Sequence, residues 1–196
     1  MLILNKNILT IGGNRLECGP LTPPTPPTPP GPIFDEVTIG TQTWTSKNLD
    51  IDDGGEGIII NENVTANGVN FGNQYYYTWD AANRIVNSIS GWHLPSQSEW
   101  GRLKKYLNND TTTVKSTSGW NNNNNGTNTT GLNILPLGLV ETSTNSNLGK
   151  NAHFWTTNTY NSTSSYQYML YASPSIFNTG VLSNSYYLSV RLIKDT

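Results

Sequence analysis

The chain has 196 residues, a net charge of −2 and only 12% charged side chains. Its polarity comes from Asn, Thr and Ser. It therefore lacks both the clustered Lys and Arg of an electrostatic nucleic-acid binder and the charge repulsion that keeps a chain disordered. No apolar run approaches the roughly 20 residues that cross a bilayer, and the single cysteine, Cys18, leaves no internal disulfide.

Residues 1–19 alternate apolar and polar over Ile8–Ile11, turn at Gly12-Gly13-Asn14 and resume at Arg15–Glu17. This predicts a small β-hairpin whose apolar positions are Ile3, Ile8, Leu9, Ile11 and Leu16. A lone hairpin is marginal in water, so the segment is expected to anchor on another structural protein or on copies of itself. Asn5, Lys6 and Asn7 interrupt the apolar core of a signal peptide, and Arg15-Leu16-Glu17 before Cys18 is no lipobox. The chain is thus expected to travel without the ordinary secretory route. Residues 20–32, Pro- and Thr-rich, predict a polyproline II linker about 40 Å long if straight. It lacks the flanking basic residue of an SH3 ligand, so it reads as a spacer.

Residues 33–196 form the predicted domain, large enough to bury a core. Val37–Ile39 and Thr43–Trp44 predict a hairpin through Gly40, and Asp52-Asp53-Gly54-Gly55 a turn. Ile58–Ile60 reads as a short buried strand and Tyr77–Val86 as a helix. Trp92–Leu94 reads as a strand that stops at Pro95. Ser96 and Glu99 then have the spacing of a capping box, and Trp100, Leu103 and Leu107 lie on one face of a helix over Gln97–Leu107. Beyond Asn108 the strands are short, and Asn121–Asn125 reads as an exposed loop. Two early helices and many late strands predict an α+β domain.

Six segments carry a resemblance. Val37–Trp44 with Asn48-Leu49, Tyr75–Ala82, Trp92–Trp100, Gly131–Pro136, Phe154–Thr157 and Leu188–Asp195 occur in the order of the motifs of the Fibrobacter succinogenes major paralogous domain family. The chain resembles that family over roughly residues 34–195. The resemblance implies a C-type-lectin-like fold with two helices and several short, mostly antiparallel strands. Leu192 stands where the family often has cysteine, which removes any disulfide at the end of the fold. Formylglycine-generating enzymes share the fold superfamily, but their chemistry needs a cysteine pair in the domain, and no cysteine follows residue 18.

Few residues suggest chemistry. His93 and His153 sit in apolar strands and read as core histidines, each with one hydrogen bond. An enzyme would need one of them in a pocket beside a carboxylate with a perturbed pKa. Asp50, Asp52, Asp53 and Glu56 could offer oxygens to calcium, but the spacing is not that of an EF-hand loop. Turn formation is the preferred reading, with no metal or cofactor expected. Trp155, Tyr160, Tyr166, Tyr168, Tyr171, Phe177, Tyr186 and Tyr187 are interleaved with Asn, Ser and Thr. That mixture suits a recognition surface, because tyrosine offers large contact area at low entropy cost. Alternation along strands puts some of these rings outside and some inside.

The sequence therefore predicts a non-enzymatic binding module on a surface: a homo-oligomeric phage fibre or capsid-decoration protein. It would be tethered to other virion proteins through residues 1–19 and would contact a host-surface glycan or protein through residues 33–196. A bacterial cell-surface adhesin or polysaccharide-binding protein, and a purely structural virion decoration, are the alternatives. Neither nucleic acid nor membrane insertion is expected.

Overall fold

The computed structural model describes residues 8–11, 14–17, 32–173 and 176–196, the first two runs by their backbone only. The chain divides into two compact units, residues 1–30 and 31–196. In the first, β1 (Ile8–Ile11) pairs antiparallel with β2 (Asn14–Glu17), Leu9 opposite Leu16. Asn14 thus belongs to the second strand rather than to the turn. The side chains of Ile8, Leu9, Ile11 and Leu16 lie outside the described residues, as do Ile3, Cys18 and linker residues 20–31.

The second unit opens with a hairpin of β3 (Glu36–Ile39) and β4 (Gln42–Thr45). Then come β5 (Ile58–Asn61), β6 (Thr65–Ala66), β7 (Val69–Asn70), β8 (Gln74–Tyr77), α1 (Trp79–Val86), β9 (Trp92–His93) and α2 (Gln97–Tyr106). The last part holds β10 (Leu139–Glu141), β11 (Thr144–Ser146), β12 (Asn151–Asn161), β13 (Ser164–Tyr171), β14 (Phe177–Ser183) and β15 (Ile193–Lys194). The larger sheets run β3-β4-β15-β9 and β12-β13-β14; the other described strands form two-stranded pairs. The named strands pair antiparallel throughout. The unit is α+β, with two helices and short strands in small sheets, and its last strand lies beside its first hairpin, Ile193 opposite Trp44.

Both helices start where a side chain can cap them. The Thr78 hydroxyl accepts from the Ala81 N–H at 3.3 Å, so α1 begins one residue later. Tyr77, expected inside this helix, is instead the last residue of β8, and its N–H donates to the Leu188 carbonyl at 2.9 Å. At α2 the predicted capping box is complete. The Glu99 N–H donates to Ser96 Oγ at 3.2 Å, and Glu99 Oε2 accepts from the Ser96 N–H at 2.7 Å. Leu107 caps the other end. Ile58–Ile60 is a strand but not a buried one: among the described residues β5 pairs with β8 alone, and Ile60 is 39% exposed.

Two apolar clusters flank the β12-β13-β14 sheet. On one side α2 brings Trp100 against Trp44, Phe154 and Tyr168, with Leu103 and Phe177 alongside. On the other, α1 contributes Ala81, Ala82, Ile85 and Val86 to a cluster with Trp155 and Leu188. Sheet alternation explains the division, since Phe154 and Trp155 are neighbours in sequence and point to opposite faces.

Arg191 is buried in this interior with 1% of its surface exposed. Its Nη1 donates to the carbonyls of Thr45 and Leu132 at 2.8 and 2.7 Å, Nη2 to that of Asn133 at 3.0 Å, and Nε to Asn48 Oδ1 at 2.6 Å. Burial pushes the guanidinium down to about 9, still charged at neutral pH. The asparagine richness also has a backbone cause. Asn63, Asn67, Asn108, Asn109, Asn122, Asn123, Asn128, Asn133 and Asn147 all have positive φ. Asparagine is, after glycine, the residue that enters this region most readily.

Candidate functional site

Hairpin β12–β13 outgrows the body of the domain. Its root is held on several sides. The Trp79 indole N–H donates to the Thr156 carbonyl at 2.8 Å, and the Thr157 N–H to that of Pro95 at 3.1 Å. The Gln97 N–H at the start of α2 donates to Asn158 Oδ1 at 2.8 Å. Past this root, Thr157 through Thr163 are all exposed. The run from Trp155 to Thr159 faces the shorter run from Gln167 to Ser165, so β12 carries extra residues there, a bulge that bends the strand.

The hairpin presents two tyrosines. Tyr160 is 61% exposed, and its ring meets that of Tyr166 edge to face, centroids 5.7 Å apart. Tyr166 is paired with Val181 of β14, itself exposed. Thr179, on the same face, accepts from Gln97 Nε2 at 3.1 Å and donates to the Gln167 carbonyl. Tyr160, Tyr166 and Val181 thus form an apolar patch rimmed by the polar groups of Gln97, Asn158 and Thr179. Residues 151–190 contain no Asp, Glu, Lys or Arg. The sheet that carries the patch is therefore without formal charge unless His153 is protonated, and burial pushes His153 away from protonation.

The other aromatic candidates separate. Trp155, Tyr168 and Phe177, expected on the ligand surface, are core side chains at 0, 5 and 2% exposure, because their strand positions face α1 or α2. Tyr171 is half-buried near the opposite end of the sheet, across from Asn151. The Tyr186 hydroxyl donates to Glu141 Oε1 at 2.8 Å, and Tyr187 packs beside Tyr76 and Val140. Only Tyr160 and Tyr166 of the eight come together on an open surface. Val181 and Gln97 were missed by sequence reasoning, although the absence of charge over residues 151–190 could be read directly.

The histidines differ. His153 is a core residue with one hydrogen bond, Nδ1 2.8 Å from Gln167 Oε1. His93, expected to be the same, is half-exposed and lies between two carboxylates. Its Nδ1 is 2.6 Å from Asp195 Oδ1 and its Nε2 2.9 Å from Glu99 Oε1. Burial alone would lower its pKa, but the hydrogen bonds and charges of Glu99 and Asp195 outweigh this and raise it. A cleft of about 270 Å³ adjoins the ring, lined also by Arg102 and Lys194. Both nitrogens lie within hydrogen-bond distance of a carboxylate oxygen, an arrangement that favours the protonated ring, which has no lone pair for general-base work. Its evident effect is to fasten the C-terminal segment to α2.

The acidic turn is built by its own side chains. Asp52 and Asp53 accept from the N–H groups of Gly54 and Gly55, and Asp53 holds Arg84 at 2.8 and 3.0 Å. That guanidinium, together with the Gly55 N–H, holds the Asp53 carboxyl down at about 2. A second cleft, about 250 Å³, lies between the Asn48–Asp50 and Phe71–Tyr75 segments, with Arg191 in its lining. That guanidinium is already committed to three backbone carbonyls.

Two helices and short antiparallel strands in small sheets define an α+β domain. Its family is a matter of sequence as well. The family model of the Fibrobacter succinogenes major domain matches residues 37–194, and the chain belongs to that family. No curated protein and no solved structure matches the chain.

Proposed function

We propose that this chain is a non-enzymatic binding module that contacts a neutral, hydroxyl-rich ligand, a host-surface glycan, through Tyr160, Tyr166 and Val181. The observation that carries the reading is the exposed Tyr160 packed on the half-buried Tyr166, on a sheet without formal charge. Aromatic rings take the C–H faces of sugars, while Asn, Thr and Gln side chains match hydroxyl groups without demanding a counter-ion. In this reading the domain has a C-type-lectin-like fold, which the two helices, the small antiparallel sheets and the pairing of the last strand with the first hairpin support. Residues 1–19 would fasten it, as a homo-oligomer, to other structural proteins of a phage fibre or capsid decoration at the virion surface. Several copies would turn a weak single contact into firm adhesion.

The test is binding of the full-length chain to intact bacterial cells and to a neutral glycan array, with Tyr160→Ala and Tyr166→Ala alongside. Saturable binding that both variants lose supports the proposal. A folded, oligomeric chain that binds nothing, or variants that bind like the parent, would overturn it in favour of a purely structural decoration or of another surface.

A further inference from the structure

A second exposed ring lies at the other end of α2, away from the hairpin patch. Tyr106 is the last residue of the helix and is 62% exposed. Its ring rests on the β3–β4 turn: a Cβ on Gly40 would come within 2.9 Å of Cδ2 and 3.1 Å of Cε2. Gly40 also has φ +62°, so both the turn and the ring require glycine there. The ring is thus seated on backbone on one side and open on the other. Beside it runs a groove of about 370 Å³ walled by Ile39, Thr41 and Gln42 and flanked by Arg102 and Lys105.

The groove has two cations and no carboxylate in its lining. Arg102 precedes Tyr106 by four residues and so shares its helix face. Its one ionic contact among the described residues is Nη2 to Glu99 Oε1 at 3.4 Å, a long one to a carboxylate already engaged by His93 and Ser96. Lys105 makes no ion pair among the described residues.

We infer that this groove binds an acidic saccharide, a sugar unit of the uronic-acid type. The C–H face of its ring would lie on Tyr106, and its carboxylate would face Arg102 and Lys105. A neutral sugar would leave Lys105 without an ion pair and Arg102 with only its long contact to Glu99, and a simple anion would leave the seated ring unused. A carboxylate carried on a sugar ring uses both, and the planar guanidinium fork matches carboxylate geometry. The site stands independently of the Tyr160–Tyr166 reading, since it uses different residues and the opposite ligand charge.

The test is calorimetric titration of the full-length chain with oligogalacturonate, oligomannuronate and oligoglucuronate. Their methyl esters and inorganic polyphosphate serve as controls. At least one uronate is expected to bind, with its ester and polyphosphate weaker. Tyr106→Ala and Arg102→Gln should each weaken that binding by about tenfold. Tyr106→Phe and Tyr160→Ala should leave it unchanged. All these positions are exposed, so unchanged thermal unfolding would show the variants to be folded. Failure of all three uronates to bind would overturn the inference. So would binding that polyphosphate matches and Tyr106→Ala leaves intact, because that is charge attraction without a sugar site.

Discussion

Trp100 of α2 and Tyr168 of β13 stack with their centroids 5.3 Å apart and their planes 9° from parallel. Trp44 and Phe154 close on the same indole, at 4.7 and 5.3 Å. Trp100 therefore ties the helix, the first hairpin and the β12-β13-β14 sheet together. Trp100→Ala should cost about 3–5 kcal/mol of stability in urea unfolding. Its indole N–H is buried without a hydrogen-bond partner among the described residues, so Trp100→Phe removes an unsatisfied donor as well as volume. That variant should lose clearly less.

Removing the Arg191 guanidinium orphans three backbone carbonyls at once. Arg191→Met is expected to lose at least about 3 kcal/mol, since each abandoned buried acceptor carries its own desolvation penalty. Arg191→Lys should recover only a part, because one ammonium cannot reproduce the spread of a planar fork. Chemical denaturation of the three proteins checks the order.

The His93 clamp should leave a signature in the pH dependence of stability. The His93 pKa is raised above its ordinary 6.5, burial opposing the shift and Glu99 and Asp195 overcoming it. Its contribution is full below pH 6.5 and fades as pH rises through the folded value. Glu99 is lowered from its ordinary 4.5: burial opposes this too, and the bonds from Ser96 and His93 prevail. Its contribution is full above pH 4.5 and fades as pH falls through the folded value. The difference in Tm between the parent and His93→Gln should thus be largest between those two ordinary values and shrink as pH rises through the raised folded value of His93. A difference that grows with rising pH would contradict the clamp.

Gly101 lies inside α2 with open space where a Cβ would go, and it is not among the positive-φ glycines. Gly101→Ala should stabilise the domain by roughly 0.5–1 kcal/mol. Gly138 is the contrast. It has φ +62°, and a Cβ there would fall 1.9 Å from the Ser146 carbonyl oxygen. Gly138→Ala should lower Tm steeply in the same thermal scan.

Salt separates the two proposed surfaces. Contact through the uncharged hairpin sheet should keep its affinity between roughly 0.05 and 0.5 M salt, where the Debye length shrinks severalfold. Uronate binding at Tyr106 should weaken over the same range, since its anion meets Arg102 and Lys105 near solvent. Two salt series, one for each ligand, read this directly.

Local grammar was what the sequence carried most clearly. The Gly40 hairpin, the Ser96–Glu99 capping box and α2 follow from neighbouring residues, and so they were legible. The motif order also revealed the family. Tyr77 was misplaced because a run of tyrosines before an apolar stretch fits a strand end and a helix start equally well. Its bond to Leu188, far along the chain, decides between them. Long-range charge was harder still. Arg191 is legible in sequence only as part of the closing Leu188–Asp195 motif, and nothing nearby announces the carbonyls of Leu132 and Asn133. The aromatic candidates were half legible: alternation says that some rings face in, but only the positions of α1 and α2 say which.

The Arg191 clamp also bears on how this domain can diverge. Its carbonyl partners at Thr45, Leu132 and Asn133 are main-chain groups that any amino acid would supply. The three segments it joins are therefore secured by groups that substitution does not erase, even though Thr45 and Leu132 are themselves buried and Asn133 holds a positive φ. A scaffold gripped by its peptide bonds keeps that grip under any substitution that spares the backbone path.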